Sequence, residues 1–245
     1  MTSLQHLQAR IPAHIQPYSR AQMDEIRKRE EEETSRKIFQ QYQVAKVQSA
    51  LGRSGIGKKH AKCRLDNYIT ETQGQRIAFN HANTWLVDFL KAPHNRSFVY
   101  SGTTGTGKNH LASAIGNNLL ARGKSVMVIS VSDLMLKIRD KYNSSSVMTE
   151  AKFIEVLSKV DLLVLDEVGV QRKNDHENIM LSTIIDARWA NDLPTGILTN
   201  LGYEELQSLL SERVVERLLD DGGEWVSFAW ESFRAKSRND YNRNK

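Results

Sequence analysis

The run Gly102-Thr103-Thr104-Gly105-Thr106-Gly107-Lys108-Asn109 constrains this chain more than any other segment. It lies between a short apolar stretch, Ser97–Ser101, and a helix-compatible one, Gly107–Ala121. Glycines let the backbone wrap so that successive N–H groups face one anion. The helix start behind the loop adds partial positive charge. Lys108 then reaches the outer phosphates of a nucleotide. This device works only between a strand and a helix, so the loop predicts an α/β chain. The usual pattern closes with Ser or Thr. Here Asn109 stands in that place, and its amide oxygen is a hard neutral donor suited to magnesium.

The rest of the chain agrees with that fold class. Beyond residue 66, helices are expected over Gly74–Leu90, Leu134–Tyr142, 150–160, Glu177–Ala190, Tyr203–Leu210 and Glu212–Leu219. In the first of these Trp85, Val87, Phe89 and Leu90 are core candidates, and Ser132 and Asp133 are candidate caps for the second. Strands are expected at Ser97–Ser101, Ser125–Val131, Asp161–Asp166, Gly196–Thr199 and Trp225–Phe228. Strands separated by helices predict a parallel sheet covered on both faces.

A second signal is the apolar strand Leu162–Leu165 ending in Asp166-Glu167. In a parallel sheet these acids emerge at the same edge as the glycine loop. Asp166 is placed to hold magnesium, and Glu167 to orient or deprotonate an attacking water. Together the motifs predict nucleoside triphosphate hydrolysis. Asn200, at the end of Gly196–Thr199, is in the chain order that sets an amide between the terminal phosphate and Glu167. Arg213 and Arg217 are four apart and share a helix face. One reading makes them arginine fingers for a neighbouring subunit; the other makes them partners of Glu212 and Glu216 on an ordinary charged helix.

At 245 residues the chain is long enough to bury a core without disulfides, and its one cysteine, Cys63, forms none alone. Its longest purely aliphatic stretch is Leu162–Leu165, which excludes a membrane span, and the N-terminus has no secretory signal. A cytoplasmic setting is expected. The net charge of +5 is uneven. Residues 53–64 carry Arg53, Lys58, Lys59, Lys62 and Arg64 with no acid, and residues 234–245 are again basic. Both fit either a polyanion partner or solvated surface. Leu4, Leu7 and Ile11 form a helical stripe stopped by Pro12, and Gln22–Gln48 is a charged helical stretch with few apolar residues. Such a segment is either a tail or a docking module that folds on a partner. The expected organisation is a helical N-terminal module at 1–51, a basic linker at 52–65 and a nucleotide-hydrolysing domain at 66–245.

The motifs in combination are recognisable. Pro12-Ala-His-Ile15, Arg53-Ser-Gly-Ile56, Gly105-Thr-Gly-Lys-Asn-His-Leu111, Arg122-Gly-Lys-Ser-Val126, Val160–Glu167, Pro194-Thr-Gly196, Leu198-Thr-Asn200, Glu212-Arg213 and Trp230-Glu-Ser-Phe-Arg234 resemble the DnaC-type loaders of the bacterial replicative helicase, within the AAA+ ATPases. The Asn-His after the lysine resembles that subgroup in particular. The resemblance implies an AAA+ P-loop fold that ends too soon for the usual helical lid. It implies ATP and Mg2+ as ligands, with Asp166 and Glu167 as the Walker B pair and Asn200 as sensor 1. Arg217 is then the arginine finger with Arg213 beside it, and Arg234 the sensor 2 arginine. Lys137, Arg139, Lys141 and Tyr142, on a helix that is otherwise an ordinary amphipathic one, are implied as contacts to single-stranded DNA. The N-terminal module, with Leu4, Leu7 and Ile11, is implied to bind a DnaB-type helicase. Self-association in a ring or spiral is implied as well. An IstB-type transposition helper is the alternative within the fold, and a nucleotide-gated adaptor without hydrolysis the alternative outside it.

Overall fold

The structure is a computed structural model that describes residues 18–50, 55–142, 150–170 and 175–233; of these, the side chains of 36–37, 39–41, 43–50, 139–142 and 150 are not described. Leu4, Leu7, Ile11 and Arg234 lie outside the described residues, as do the side chains of Arg139, Lys141 and Tyr142. The chain separates into two units, Met1–Tyr42 and Gln43–Lys245.

Helix α1 (Arg20–Ala50) is 31 residues long. Ser19 opens it through a reciprocal cap: Gln22 N donates to Ser19 Oγ at 3.3 Å, and Ser19 N donates to Gln22 Oε1 at 2.8 Å. That cap moves the helix start two residues ahead of the expected Gln22. Met23, Ile26, Ile38 and Tyr42 are exposed on it.

The second unit follows the order α2 (Gln73–Lys91), β1 (Phe98–Gly102), α3 (Lys108–Leu120), β2 (Val126–Ser130), α4 (Val131–Tyr142), α5 (Glu150–Leu157), β3 (Leu162–Val168), α6 (Asp175–Trp189), β4 (Thr195–Thr199), α7 (Tyr203–Leu210), α8 (Glu212–Leu219) and β5 (Glu224–Phe228). The five strands pair in the order β2-β3-β4-β1-β5, parallel throughout. Alternation along each strand splits the core in two. Val99, Met127, Ile129, Leu163, Leu165 and Ile197 face α4 to α8. Phe98, Tyr100, Val128, Val164, Leu198 and Phe228 face α2 and α3. With both faces covered, the strands read as continuous apolar runs, which is why the sequence shows them plainly.

Three expectations need correction. Helix α4 begins at Val131 because Ser130 Oγ accepts the Asp133 N–H at 3.1 Å; the cap is therefore Ser130, not Ser132 or Asp133. In α2 Trp85 and Phe89 are buried as expected, together with Ala78, Ala82 and Leu86, and Leu90 packs half-buried against them, whereas Val87 is exposed, since the helical period turns position 87 outward. Helix α5 stops at Leu157 rather than 160, because the carbonyls of Leu157 and Val160 turn to a buried arginine.

That arginine is Arg188, fully buried at the end of α6. Its Nη1 donates to Leu157 O at 2.6 Å and Val160 O at 2.9 Å, its Nη2 to Pro194 O at 2.6 Å, and its Nε to Thr195 Oγ1 at 3.1 Å. Burial pulls the guanidinium below its ordinary pKa, and Asp161 opposes that pull. Replacing it by an apolar side chain strands four acceptors in the core. Arg188→Met is therefore expected to cost about 3–5 kcal/mol in urea unfolding. A loss under about 1 kcal/mol would mean that water satisfies those acceptors equally well.

Candidate nucleotide-binding site

The carboxyl ends of β1, β3 and β4 converge on one cleft of about 490 Å³. Its wall includes Thr104–His110, Asp166, Glu167, Thr199 and Asn200, with Lys59, His60, Cys63, Tyr68 and Phe233 around them. The glycine loop leaves β1 at Gly102 and re-enters helix at Lys108. Gly107 has φ of 100°, and a Cβ there would lie 2.7 Å from Tyr68 Cε2, so only glycine fits. Thr106 Oγ1 ties the loop together by donating to Thr103 O at 2.7 Å.

Lys108 is buried and folded back along the loop. Its ammonium donates to Gly102 O at 2.5 Å, Thr103 O at 2.8 Å and Asn200 Oδ1 at 3.0 Å. Burial lowers its pKa, and the Asp166 carboxylate works against that. Gly102 and Thr103 thus serve the lysine through their carbonyls. Asn200 joins the end of β4 to the loop after β1.

Asp166 and Glu167 do not end their strand as expected. Strand β3 continues to Val168, and its register with β4 shifts between Leu165 and Val168. That bulge re-aims the two acids. Glu167 has φ of 59° and is exposed to the cleft, and its N–H donates to Asp166 Oδ1 at 2.8 Å. Burial pushes the Asp166 carboxyl up to about 6, and the charge of Glu167 adds to the rise; the Glu167 N–H and Lys108 pull the other way.

Asn109 lies beside this pair. Its amide nitrogen donates to Asp166 Oδ2, and its oxygen accepts from Ser113 Oγ at 3.1 Å. The donor set fits magnesium: one carboxylate and an amide oxygen are hard ligands, and magnesium takes few protein ligands beside phosphate and water. To serve, the Asn109 amide turns its oxygen from Ser113 toward Asp166. Among the described residues no cluster of three or more His, Cys, Asp or Glu side chains competes for a metal.

A strap passes over the loop from downstream. Trp230 Nε1 donates to Thr106 O at 2.9 Å, and Phe233 N donates to Gly105 O at 3.0 Å. In a trans peptide the C=O and the following N–H point opposite ways. Holding these two carbonyls therefore turns the N–H groups of Thr106 and Gly107 away from the strap. The sequence marked Trp230 and Phe233 only as part of a familial motif. It gave no role to Tyr68, whose ring packs edge-on to His110 with centroids 5.5 Å apart. The apolar pair Tyr68-Ile69 shortly before α2 was the available signal.

Residues 87–240 match the family model described as IstB-like ATP binding protein. The replicative helicase loader DnaC of Escherichia coli (strain K12) is 39% identical over 235 residues, which cover 95% of each chain. The chain belongs to the DnaC family of replicative helicase loaders. A crystal structure of the DnaC helicase loader superposes with a TM-score of 0.61 at 24% identity, covering 70% of this chain and 99% of that one. AMPPCP-bound DnaA from Aquifex aeolicus matches with a TM-score of 0.57 at 26% identity, over 77% of this chain and 56% of that one. The fold is thus the AAA+ one, and this DnaC-family chain is a nucleotide-binding ATPase in class.

Arg213 and Arg217 border a separate hollow with Tyr203 and Glu216. Neither pairs with a glutamate of its own helix. Both reach Asp186 on α6, at 2.8 Å and 2.5 Å. Lys137 is half-buried on α4, whose Val131, Leu134, Met135 and Ile138 pack on the sheet. In the described part of the basic stretch, Asn117 Nδ2 donates to the carbonyls of His60 and Cys63, both at 2.9 Å, and Lys58, Lys59 and Lys62 are exposed.

The raised Asp166 pKa gives a test of the site in the free protein. A carboxyl that binds its proton more tightly folded than unfolded costs nothing below the unfolded value of about 4, and its full penalty is reached above about 6. The Asp166 contribution to stability is therefore expected to fall across that window, against the rise that burial of neutral His81 and His94 brings as pH climbs. Asp166→Asn should remove the fall and gain on the order of 2 kcal/mol at pH 7, while weakening ATP binding. Thermal unfolding of both proteins at pH 4.5 and pH 7 checks this; an equal melting difference at both values contradicts it.

Proposed function

We propose that this chain is an ATP-driven loader that binds a DnaB-type replicative helicase, helps open its ring and delivers it onto single-stranded DNA. The observation that carries the reading is the meeting of Lys108, Asn109, Asp166, Glu167 and Asn200 around one glycine loop. Likeness to the loader DnaC over 95% of the chain takes in the N-terminal part, which the IstB-like match at 87–240 does not reach; this favours the loader over the transposition helper.

In this reading the loop amides and Lys108 hold the phosphates, and Lys108 exchanges its loop carbonyls for phosphate oxygens. Asn200 stays within reach of Lys108 and orients the terminal phosphate. Glu167, held out by the bulge, takes the proton of a water that attacks the γ-phosphorus as the β–γ bridging bond breaks. Magnesium, held by Asp166 and Asn109, supplies charge neutralisation to the phosphates when bound. Arg217, with Arg213 beside it, serves the site of a neighbouring subunit, and Arg234 reaches the phosphates of its own. Hydrolysis is slow, stimulated by DNA, and times release in the cytoplasm. Lys137, Arg139, Lys141 and Tyr142 contact the DNA. Residues 1–51 form the helicase-binding module, through Leu4, Leu7 and Ile11; the exposed apolar residues of α1 support a segment that gains its core from a partner. Residues 52–65 link it to the ATPase domain at 66–245.

Two experiments test the reading. Lys108→Ala is expected to lose ATP binding, and Glu167→Gln to keep it within about threefold while turnover drops by about a hundredfold or more; nucleotide titration and phosphate release measure these. Wild-type turnover in Glu167→Gln contradicts the assignment. The full chain is expected to co-elute with the replicative helicase, and a chain lacking residues 1–51 to bind ATP but not the helicase. Helicase binding undiminished by that deletion overturns the module.

A further inference from the structure

Asp186 stands between the two arginines of α8 and uses one carboxylate oxygen for each. Its Oδ2 accepts from Arg213 Nη2 at 2.8 Å and its Oδ1 from Arg217 Nη1 at 2.5 Å. Trp189, one turn further along α6, lies under the Arg217 guanidinium, with 4.5 Å from Cζ to the ring centroid. The arrangement is not a closed ion pair. Arg217 spends one terminal nitrogen on the carboxylate, and a quarter of its side chain remains exposed. Its other donors bond to nothing else among the described residues.

The platform beneath is rigid. Asp186 and Trp189 flank Arg188, which the core holds by four hydrogen bonds. On α8, Val214, Val215 and Leu218 are buried against the sheet-facing core. Both ends of the Asp186–Arg217 contact are thus fixed by packing, and a long flexible side chain is confined by a carboxylate at one nitrogen and a ring across its face.

We propose that Asp186 is the positioning residue of the arginine pair: it holds Arg217, over Trp189, in the pose that enters a neighbouring subunit's nucleotide site. This rests on the finger reading of Arg217. It adds that the pose is set inside the donating subunit, before any neighbour arrives. Asp186 touches no nucleotide and takes no part in bond making. It prepays the ordering that Arg217 would otherwise need at the moment of reaction.

Its signature is an asymmetry between subunits. Lys108→Ala supplies a finger without a working site, and Arg217→Ala a site without a finger. Mixed on the helicase with single-stranded DNA, the two are expected to recover turnover that neither shows alone. Adding Asp186→Asn to the finger donor should cut the recovered turnover by about tenfold, with the KM for ATP unchanged within about twofold. Adding it to the site donor should leave the recovered turnover as it was, which also shows that the variant folds and assembles. Asp186→Glu in the finger donor should restore at least part of the loss. If the parent mixture recovers nothing, the finger reading fails and the proposal falls with it. If the parent mixture works and Asp186→Asn is silent in the donor, or harms both partners alike, the finger reading stands and the positioning role is overturned.

Discussion

One guanidinium sets the strand entries on which the rest of the ATPase unit depends. Arg188 binds the carbonyls just before β3 and the residues that open β4, so both strands start from one fixed point. Ser97, just before β1, adds its hydroxyl as acceptor for Thr195 N at 2.9 Å. The three strands are thereby held at the edge opposite the cleft. A parallel pair has no hairpin to fix its register, and a slip by one residue would turn every side chain to the other face. The far ends of these same strands carry Asp166, Glu167, Asn200 and the glycine loop. Catalytic geometry at one edge is therefore inherited from hydrogen bonds made at the other.

The cleft edge is built by the opposite tactic. There the strands stop being regular. β3 bulges, Glu167 takes a left-handed backbone, and the loop after β1 turns through Gly105 and Gly107, both at positive φ. These departures aim side chains and amides at one small volume. Asp166 shows their cost: a carboxyl kept in surroundings that favour its neutral form destabilises the free protein and is repaid only when a ligand arrives.

The sequence exposed what is local. The glycine loop, the apolar run before Asp166-Glu167 and the strand before Asn200 are each contiguous, and a doubly covered parallel sheet brings their ends together whatever the details. What it hid is long-range. Arg188 looks like a surface residue because only the fold shows that α5 and the turn before β4 close around it. Asp186 looks like an ordinary helix acid until α8 lies beside it. The bulge at Asp166-Glu167 leaves no mark in an alternation pattern that is already wholly apolar. Ser130 was read as strand, yet its hydroxyl starts the next helix; β2 and α4 share no loop at all, so the cap had to come from the strand.

The strap over the phosphate loop has a consequence for how the protein comes into being. Gly105 and Thr106 emerge from the ribosome well ahead of Trp230 and Phe233, which fix the orientation of their peptide groups. Strand β5, pairing with β1 along Phe98 to Gly102, is also a late arrival. A nascent chain passes through a stage in which the loop, the lysine and both acids are made but the loop is not yet set. The orientation of the loop amides is in this sense among the last features of the site to be set, because it waits for residues downstream of β5.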